Sequence, residues 1–123
     1  VLEKHICDVI MPDITRCGGP SEMKRIASMA EAYGTPVAPH NPNGPLSTIA
    51  SAHVCAAIPN FFRCEFMFND VPWRDTVVSH TIDVEEGFLR LSDRPGLGVD
   101  LVEEEMEKHP GLTDVHERPG FYV

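Results

Sequence analysis

The sequence predicts an α/β fold in which short buried strands alternate with amphipathic helices, as in a parallel sheet or barrel. Three short, mostly apolar runs occupy residues 7–11, 35–39 and 61–66. Two stretches with apolar residues at helical spacing separate these runs. Strands of a parallel sheet are buried on both faces and need not alternate in polarity, so the apolar runs are typical of such strands.

The first strand–helix unit covers residues 7–34. Pro12 ends the apolar run, and a turn at residues 18–21 leads to a helix from Glu22 onward, with Ser21 as its candidate N-cap. Gly34 is well placed to stop that helix. The apolar stripe of the helix consists of Met23, Ile26, Ala27, Ala30 and Tyr33.

The second unit repeats the pattern. Its strand ends at His40, a loop follows at residues 41–45, and Pro45 lies near the first turn of the next helix. The helix stops at Pro59, before the third strand. Its predicted apolar stripe consists of Leu46, Ile49, Ala50, His53, Val54 and Ala57. We interpret His53, on that stripe, as a core or interface residue.

After Phe66 the alternation ends, which predicts two regions. Residues 1–68 form the strand–helix units, and residues 69–123 form an extension of loop, small strands, short helix and tail. In the extension, residues 84–91 indicate a small hairpin or an edge strand, and residues 102–108 indicate a short acidic helix. Trp73 is a candidate anchor for the loop, and the tail begins at Pro110.

Composition excludes several classes of protein. With 42% hydrophobic residues among 123, the chain can bury a core. The net charge of −9 disfavours nucleic acid as a partner. No apolar run approaches the ~18 residues that span a bilayer, so a membrane is not expected as a partner either. Four cysteines without a Cys-x-x-Cys pair favour a reducing compartment, and therefore the cytoplasm.

An ionisable residue follows or closes each predicted strand: Asp13, His40 and Glu65. Because barrel enzymes place their chemistry at the C-terminal ends of strands, we expect these side chains around one pocket. A histidine can act as acid or base near neutral pH, and a neighbouring carboxylate can fix its tautomer. A partly buried, protonated Glu65 could donate a hydrogen bond to a developing oxyanion.

The less specific interpretation is that these residues are caps and turns of a non-catalytic α/β binding module. A hydrogen bond between Asp13 and His40 would distinguish an enzyme from such a module. Asn41 and Asn43 follow His40, where they could touch substrate hydroxyls or serve as ordinary turn residues.

Four motifs in order resemble one family. They are MPDITRCGGPSE at residues 11–22, APHNPNGP at 38–45, AAIPNF at 56–61 followed by Glu65, and RPGLGV at 94–99. Together they resemble the enolase superfamily, in its mandelate racemase and muconate lactonizing enzyme-like branch, closest to galactonate (sugar acid) dehydratases. The resemblance implies strands 6 to 8 of a (β/α)₈ barrel with their helices, followed by a post-barrel extension.

The resemblance also implies a reaction. Asp13 and His40 would form the catalytic dyad, Glu65 would hydrogen-bond the carboxylate of a sugar acid, and Asn41 is a candidate substrate contact. The expected activity is that of a hydro-lyase, in which Mg²⁺ stabilises the enediolate formed when the α-proton leaves and the β-hydroxyl is then eliminated. A racemase or epimerase of the same superfamily is the alternative.

Several parts of such an enzyme are not among these residues. The resemblance implies that the metal ligands and a second base lie on earlier strands, so no metal ligand is assigned in this chain. We expect the remaining N-terminal half of the enzyme as a partner, and a homo-oligomer. Alone, these residues are expected to be inactive and to expose open strand edges.

Overall fold

The computed structural model describes residues 1–68 and 70–111. A 3₁₀ turn at Leu2–Lys4 precedes helices α1 (Pro20–Ala32) and α2 (Pro45–Ala56). Strands β1 (Asp83–Glu85) and β2 (Phe88–Arg90) and helix α3 (Glu103–Glu107) follow. The predicted tail lies outside the described residues from residue 112 onward.

The three predicted strands are present as extended segments that run parallel. Isolated bridges join Ile10 to Val37 and Val37 to Phe61, so each segment lies beside the next one in the chain. The amide of Ile10 donates to the carbonyl of Pro36 at 3.1 Å, and that of Ala38 donates to Ile10 at 3.0 Å. Helices α1 and α2 are therefore the crossovers of two successive strand–helix–strand units.

The extended segments form fewer backbone hydrogen bonds with one another than the continuous strands that the sequence predicts. Pro12 lies in the first segment, and Pro36 and Pro39 lie in the second. Proline has no amide hydrogen, so these positions cannot donate to a ladder. Single bridges consequently replace regular strands here.

Helix α1 begins two residues earlier than predicted. Its N-cap is Gly19 and its first residue is Pro20, so the prediction that Ser21 caps the helix is wrong. Proline suits this first position because its missing amide hydrogen would have no partner there. At the other end Tyr33 is the C-cap and 41% exposed, which places it outside the buried stripe of Met23, Ala27 and Ala30.

Helix α2 is buried on a wider face than its apolar stripe predicts. Its buried residues are Pro45, Thr48, Ile49, Ser51, Ala52, Val54 and Cys55. Ala57, predicted on the stripe, is the exposed C-cap. Small polar side chains such as Thr48 and Ser51 extend the buried surface, and hydropathy does not mark them.

The core lies between the helices and the extended segments. Its buried members are Ile14, Met23, Ala27, Ala30, Val37, Val54 and Ile58. Asn60 ties the layers together, because its amide nitrogen donates to the carbonyls of Ala27 and Thr35, both at 3.0 Å. One side chain thus links α1, the second segment and the start of the third.

The predicted hairpin and acidic helix are confirmed in the extension. Strands β1 and β2 pair antiparallel around a two-residue turn, Glu86–Gly87, in which both φ angles are positive, at 51° and 83°. This turn geometry matches the twist of paired strands. An antiparallel bridge joins Val78 to Leu101 ahead of α3. Within the described residues, no helix has the length and apolar character needed to cross a membrane.

Candidate active site

Asp13 is a buried carboxylate directly after the first extended segment. It is 7% exposed. Its Oδ1 atom accepts hydrogen bonds from the Thr15 amide at 2.8 Å and the Thr15 hydroxyl at 2.6 Å. The Asn43 amide nitrogen lies 3.2 and 3.1 Å from the two carboxylate oxygens. Asp13 is thus bound by Thr15, two residues further along the chain, and by Asn43 from the loop after the second segment.

These donors determine the charge of Asp13. Burial raises the pKa of its carboxyl group, but the hydrogen bonds from Thr15, Asn43 and His40 outweigh burial and hold the pKa well below its usual range. Asp13 is therefore ionised at any pH at which enzymes usually work. A fixed negative charge thus lies at the end of the first segment.

His40 closes the second extended segment beside this charge. Its backbone amide donates to the carbonyl of Pro12 at 3.2 Å, which sets the two segment ends side by side. Its ring Nδ1 lies 3.0 Å from the Asp13 Oδ2 atom. The hydrogen bond that the sequence predicts between Asp13 and His40 is present.

The ionised carboxylate also determines which ring nitrogen can react. A carboxylate only accepts hydrogen bonds, so Nδ1 carries the hydrogen that it shares with Asp13. In the neutral ring, Nε2 then has a free lone pair, and in the charged ring it has a proton to give. The His40 side chain is 45% exposed, so this pair can exchange a proton with a bound molecule.

Glu65 follows the third segment and faces the loop after His40. Its Oε2 atom accepts a hydrogen bond from the Asn41 backbone amide at 2.6 Å. Its Oε1 atom has no hydrogen-bond partner in residues 1–68 and 70–111. Glu65 is half-buried, so one oxygen is held in place while the other is free to meet a ligand.

Asn41 is fully buried between these groups. Its side-chain nitrogen donates to the Thr48 hydroxyl at 2.8 Å and to the Glu65 backbone carbonyl at 3.1 Å. Its oxygen accepts from the Ser47 hydroxyl at 3.1 Å. These contacts fasten the loop to α2 and to the third segment. A substrate contact by Asn41 stays a prediction, and the bonding of its side chain favours a supporting role.

Three further residues support the Asp13–His40 dyad. The sequence patterns do not mark them for this role. Thr15 and Asn43 bind the Asp13 carboxylate directly. Arg74 donates to the Asn43 carbonyl at 2.9 Å. One local signal was available: Thr15 stands two residues after Asp13, where short polar side chains form turns.

The described residues do not form a metal site by themselves. Among residues 1–68 and 70–111, no three His, Cys, Asp or Glu side chains converge as metal ligands would. Both Asp13 oxygens are already hydrogen-bonded to Asn43. Any ion in this site would need ligands from outside these residues.

Comparison with known proteins identifies the family. Residues 1–105 match the family described as "Enolase C-terminal domain-like". The chain belongs to this family. It is therefore an α/β chain from the enolase barrel region, as the four motifs predict.

Relatives of this family member include sugar acid dehydratases. The D-xylonate dehydratase of Haloferax volcanii is 38% identical over 109 residues, which cover 89% of this chain and 26% of that protein. The arabinonate dehydratase of Saccharolobus solfataricus is 35% identical over 99 residues, covering 80% and 26%. The chain thus spans about a quarter of the length of these relatives.

A solved structure agrees with the arrangement. The mandelate racemase/muconate lactonizing enzyme-like protein from Rubrobacter xylanophilus DSM 9941 is 41% identical, with a TM-score of 0.81. The match covers 89% of this chain and 28% of that one. The extended segments and helices are thus those of the mandelate racemase-like barrel, while the roles of Asp13, His40 and Glu65 stay predictions.

Proposed function

We propose that this chain supplies the acid–base dyad of a Mg²⁺-dependent sugar acid dehydratase. The observation that carries the proposal is the 3.0 Å contact between His40 Nδ1 and Asp13 Oδ2, at adjacent ends of parallel segments. A buried, ionised Asp13 stabilises the charged ring of His40, as the aspartate of a Ser-His-Asp triad does. The names of the relatives supply the substrate class, a sugar acid.

In this proposal the reaction removes the proton α to the carboxylate and expels the β-hydroxyl. A base outside this chain takes the α-proton. His40 then gives its Nε2 proton to the departing hydroxyl, so that water leaves and an enol remains, which tautomerises to an α-keto acid. Mg²⁺, held by carboxylates outside this chain, would stabilise the negative charge of the enediolate.

Glu65 orients the substrate in the same scheme. The Asn41 amide fixes one of its oxygens. The Oε1 atom, in the protonated form of the side chain, donates a hydrogen bond to the substrate carboxylate. Such a bond is productive when the donor geometry is set before the substrate arrives. We propose Glu65 as a substrate-binding residue and Asn41 as its support.

The rest of the barrel is the proposed partner of these residues. Met11, Phe61 and Phe62, on the outer extended segments, are 55%, 44% and 51% exposed. Earlier strands of a barrel would cover such side chains. We also propose a homo-oligomer in a reducing, cytoplasmic setting. The four cysteines of the chain are free, which supports such a setting.

A substrate screen of the complete enzyme tests the proposal. The panel comprises D-xylonate, arabinonate, D-gluconate, D-galactonate and D-mannonate, with α-keto acid formation as the readout, before and after chelation of the metal. We expect keto acid from at least one acid, loss of activity on chelation, and no turnover by His40→Asn at unchanged melting temperature.

Other outcomes separate the alternatives. Exchange of the α-proton with solvent deuterium and inversion at that carbon, without loss of water, would indicate a racemase or epimerase. Full activity in His40→Asn would refute the role of the dyad. Binding of an acid without either reaction would support a binding module.

A further inference from the structure

Arg74 lies in the extension, and it differs from the surface arginines in its burial. Its side chain is 10% exposed, whereas those of Arg16, Arg25 and Arg90 are 83%, 73% and 66% exposed.

 

A buried charged side chain is stable only when it is paired and hydrogen-bonded, and Arg74 has partners of both kinds. Its guanidinium forms an ion pair with Asp70 through Nε and Nη2. Its third nitrogen, Nη1, donates to the backbone carbonyl of Asn43 at 2.9 Å. The ion pair lowers the pKa of Asp70 and raises that of Arg74, so both stay charged.

Asn43 continues this chain of contacts to the dyad. Its carbonyl is held by Arg74, while its side-chain nitrogen lies 3.2 and 3.1 Å from the two oxygens of Asp13. Asp13 in turn holds the ring of His40 at 3.0 Å. An unbroken set of hydrogen bonds thus runs from a charged pair in the extension to the reactive ring.

We propose that Arg74 and Asn43 are positioning residues that hold the Asp13–His40 dyad in its reactive geometry. This inference rests on the proposed function, because it assigns to the two residues a part in the same reaction. This role requires no contact with the substrate from either residue, and the contact of Asn43 with substrate hydroxyls stays a prediction. Their effect passes through the Asp13 carboxylate.

The chemistry of the two side chains fits this role. The planar fork of arginine can bind the Asp70 carboxylate with two nitrogens and still direct a third at a carbonyl, which the single ammonium group of lysine cannot do. The Asn43 amide donates to both Asp13 oxygens without adding charge. A carboxylate held in this way cannot rotate freely, so it fixes the plane of the imidazole ring.

Steady-state kinetics of the complete enzyme test the inference. For Asn43→Ala and Arg74→Met we expect kcat to fall roughly tenfold to a hundredfold, with KM within about twofold, because a small misplacement of a reacting group costs rate and not affinity. Arg74→Lys keeps the positive charge, so its kcat should lie between that of Arg74→Met and that of the unmodified enzyme. Arg90→Met removes an exposed arginine that also pairs with carboxylates, and it should leave both constants unchanged.

Two comparisons separate positioning from simple support of the fold. Asn43→Asp keeps the size of the side chain but places a second carboxylate against Asp13, so it should lower kcat more than Asn43→Ala does. A role in packing alone predicts the reverse order. Because Arg74 acts through Asn43, the Asn43→Ala, Arg74→Met double variant should lose no more kcat than Asn43→Ala alone.

The outcomes distinguish failure of this inference from failure of the proposed function. If the unmodified enzyme dehydrates a sugar acid and His40→Asn does not, but Asn43→Ala and Arg74→Met stay within twofold in kcat, the inference is overturned. Multiplying losses in the double variant would also overturn it. If Arg74→Met fails to fold, Arg74→Lys and the two Asn43 variants decide the matter. Absence of turnover in the unmodified enzyme refutes the proposed function instead.

Discussion

The strand–helix units and the extension reach their structures by different means. In the first region, the contacts that make the site join residues far apart in sequence: Asp13 and His40 are 27 positions apart, and Asn41 and Glu65 are 24. In the extension, the paired residues of the hairpin lie within seven positions of one another, as in Asp83↔Arg90. The site therefore depends on the whole strand–helix arrangement, whereas the hairpin depends on its own turn.

Ion pairs show the same contrast. Asp13 is buried and accepts hydrogen bonds from neutral donors and a histidine, while the exposed Arg16 side chain approaches it only to 3.8 Å. Asp83 and Arg90 are 67% and 66% exposed and approach to 3.8 Å. Exposed pairs of this kind contribute about 0–1 kcal/mol, because water screens them. Substitution should consequently have a large effect at Asp13 and small effects at Asp83 and Arg90.

The largest expected effect is that of Asp13→Asn on turnover. Asparagine has nearly the same shape, so the fold should persist, but its neutral amide cannot stabilise a charged ring or hold the same tautomer. We expect kcat to fall by about 10⁴, as in the corresponding change of a Ser-His-Asp triad. The measurement is kcat of the complete enzyme, with the melting temperature recorded for each variant.

Asp83→Asn is the matched control for this change. It removes the same charge from an exposed aspartate in the extension, and activity should stay within about twofold. Equal losses in the two variants would contradict the contrast between the regions. Retained turnover in Asp13→Asn would contradict the role of the dyad.

The next largest effect concerns the core beneath the site. Met23 is fully buried in the cluster between α1 and the extended segments, whereas Met29 on the same helix is 61% exposed. Met23→Ala should lower the free energy of unfolding by about 2–5 kcal/mol, since it removes buried contacts and leaves a cavity. Met29→Ala should change it by less than about 0.5 kcal/mol. Chemical denaturation of the two variants measures both values, and similar losses would show that this packing is wrong.

The contrast also explains how much the sequence could predict. The strand–helix alternation and the hairpin depend on local patterns, so apolar spacing and turn residues were enough to predict them. The Asp13–His40 contact followed from the rule that parallel strand ends meet at one edge. Arg74 could not be found in this way, because its bond to Asn43 crosses 31 positions and joins two loops. The true cap of α1 was missed because Ser21 is the usual type of N-cap, while Gly19 caps without a side chain.

A smaller effect follows from the lowered pKa of Asp13. The folded pKa lies below the ordinary value of 3.8, so the stabilisation from this carboxylate is fully present above the unfolded pKa. It is lost as the pH falls from about 4 toward the folded pKa. The difference in unfolding free energy between the unmodified enzyme and Asp13→Asn should be constant above about pH 5 and should shrink below pH 4. Denaturation curves between pH 3 and 7 measure it, and a difference that grows with acid would contradict the assigned hydrogen bonds.

The smallest effect is expected at the turn of the hairpin. Gly87 has a φ of 83°, and an added Cβ would meet no atom within 4 Å. The cost of Gly87→Ala is therefore a backbone cost alone, about 1–2 kcal/mol, since residues with a Cβ disfavour this region. Gly87→Asn should cost less, because asparagine tolerates positive φ.

Local unfolding of the hairpin, followed by amide hydrogen exchange at residues 83–90, measures this cost. Exchange should accelerate in Gly87→Ala, less so in Gly87→Asn, while kcat stays within about twofold in both. A large loss of activity would mean that the hairpin supports the site, as Arg74 is proposed to do. If exchange is faster but activity is unchanged, the hairpin does not affect the dyad. The extension would then act on the dyad only through contacts such as that between Arg74 and Asn43.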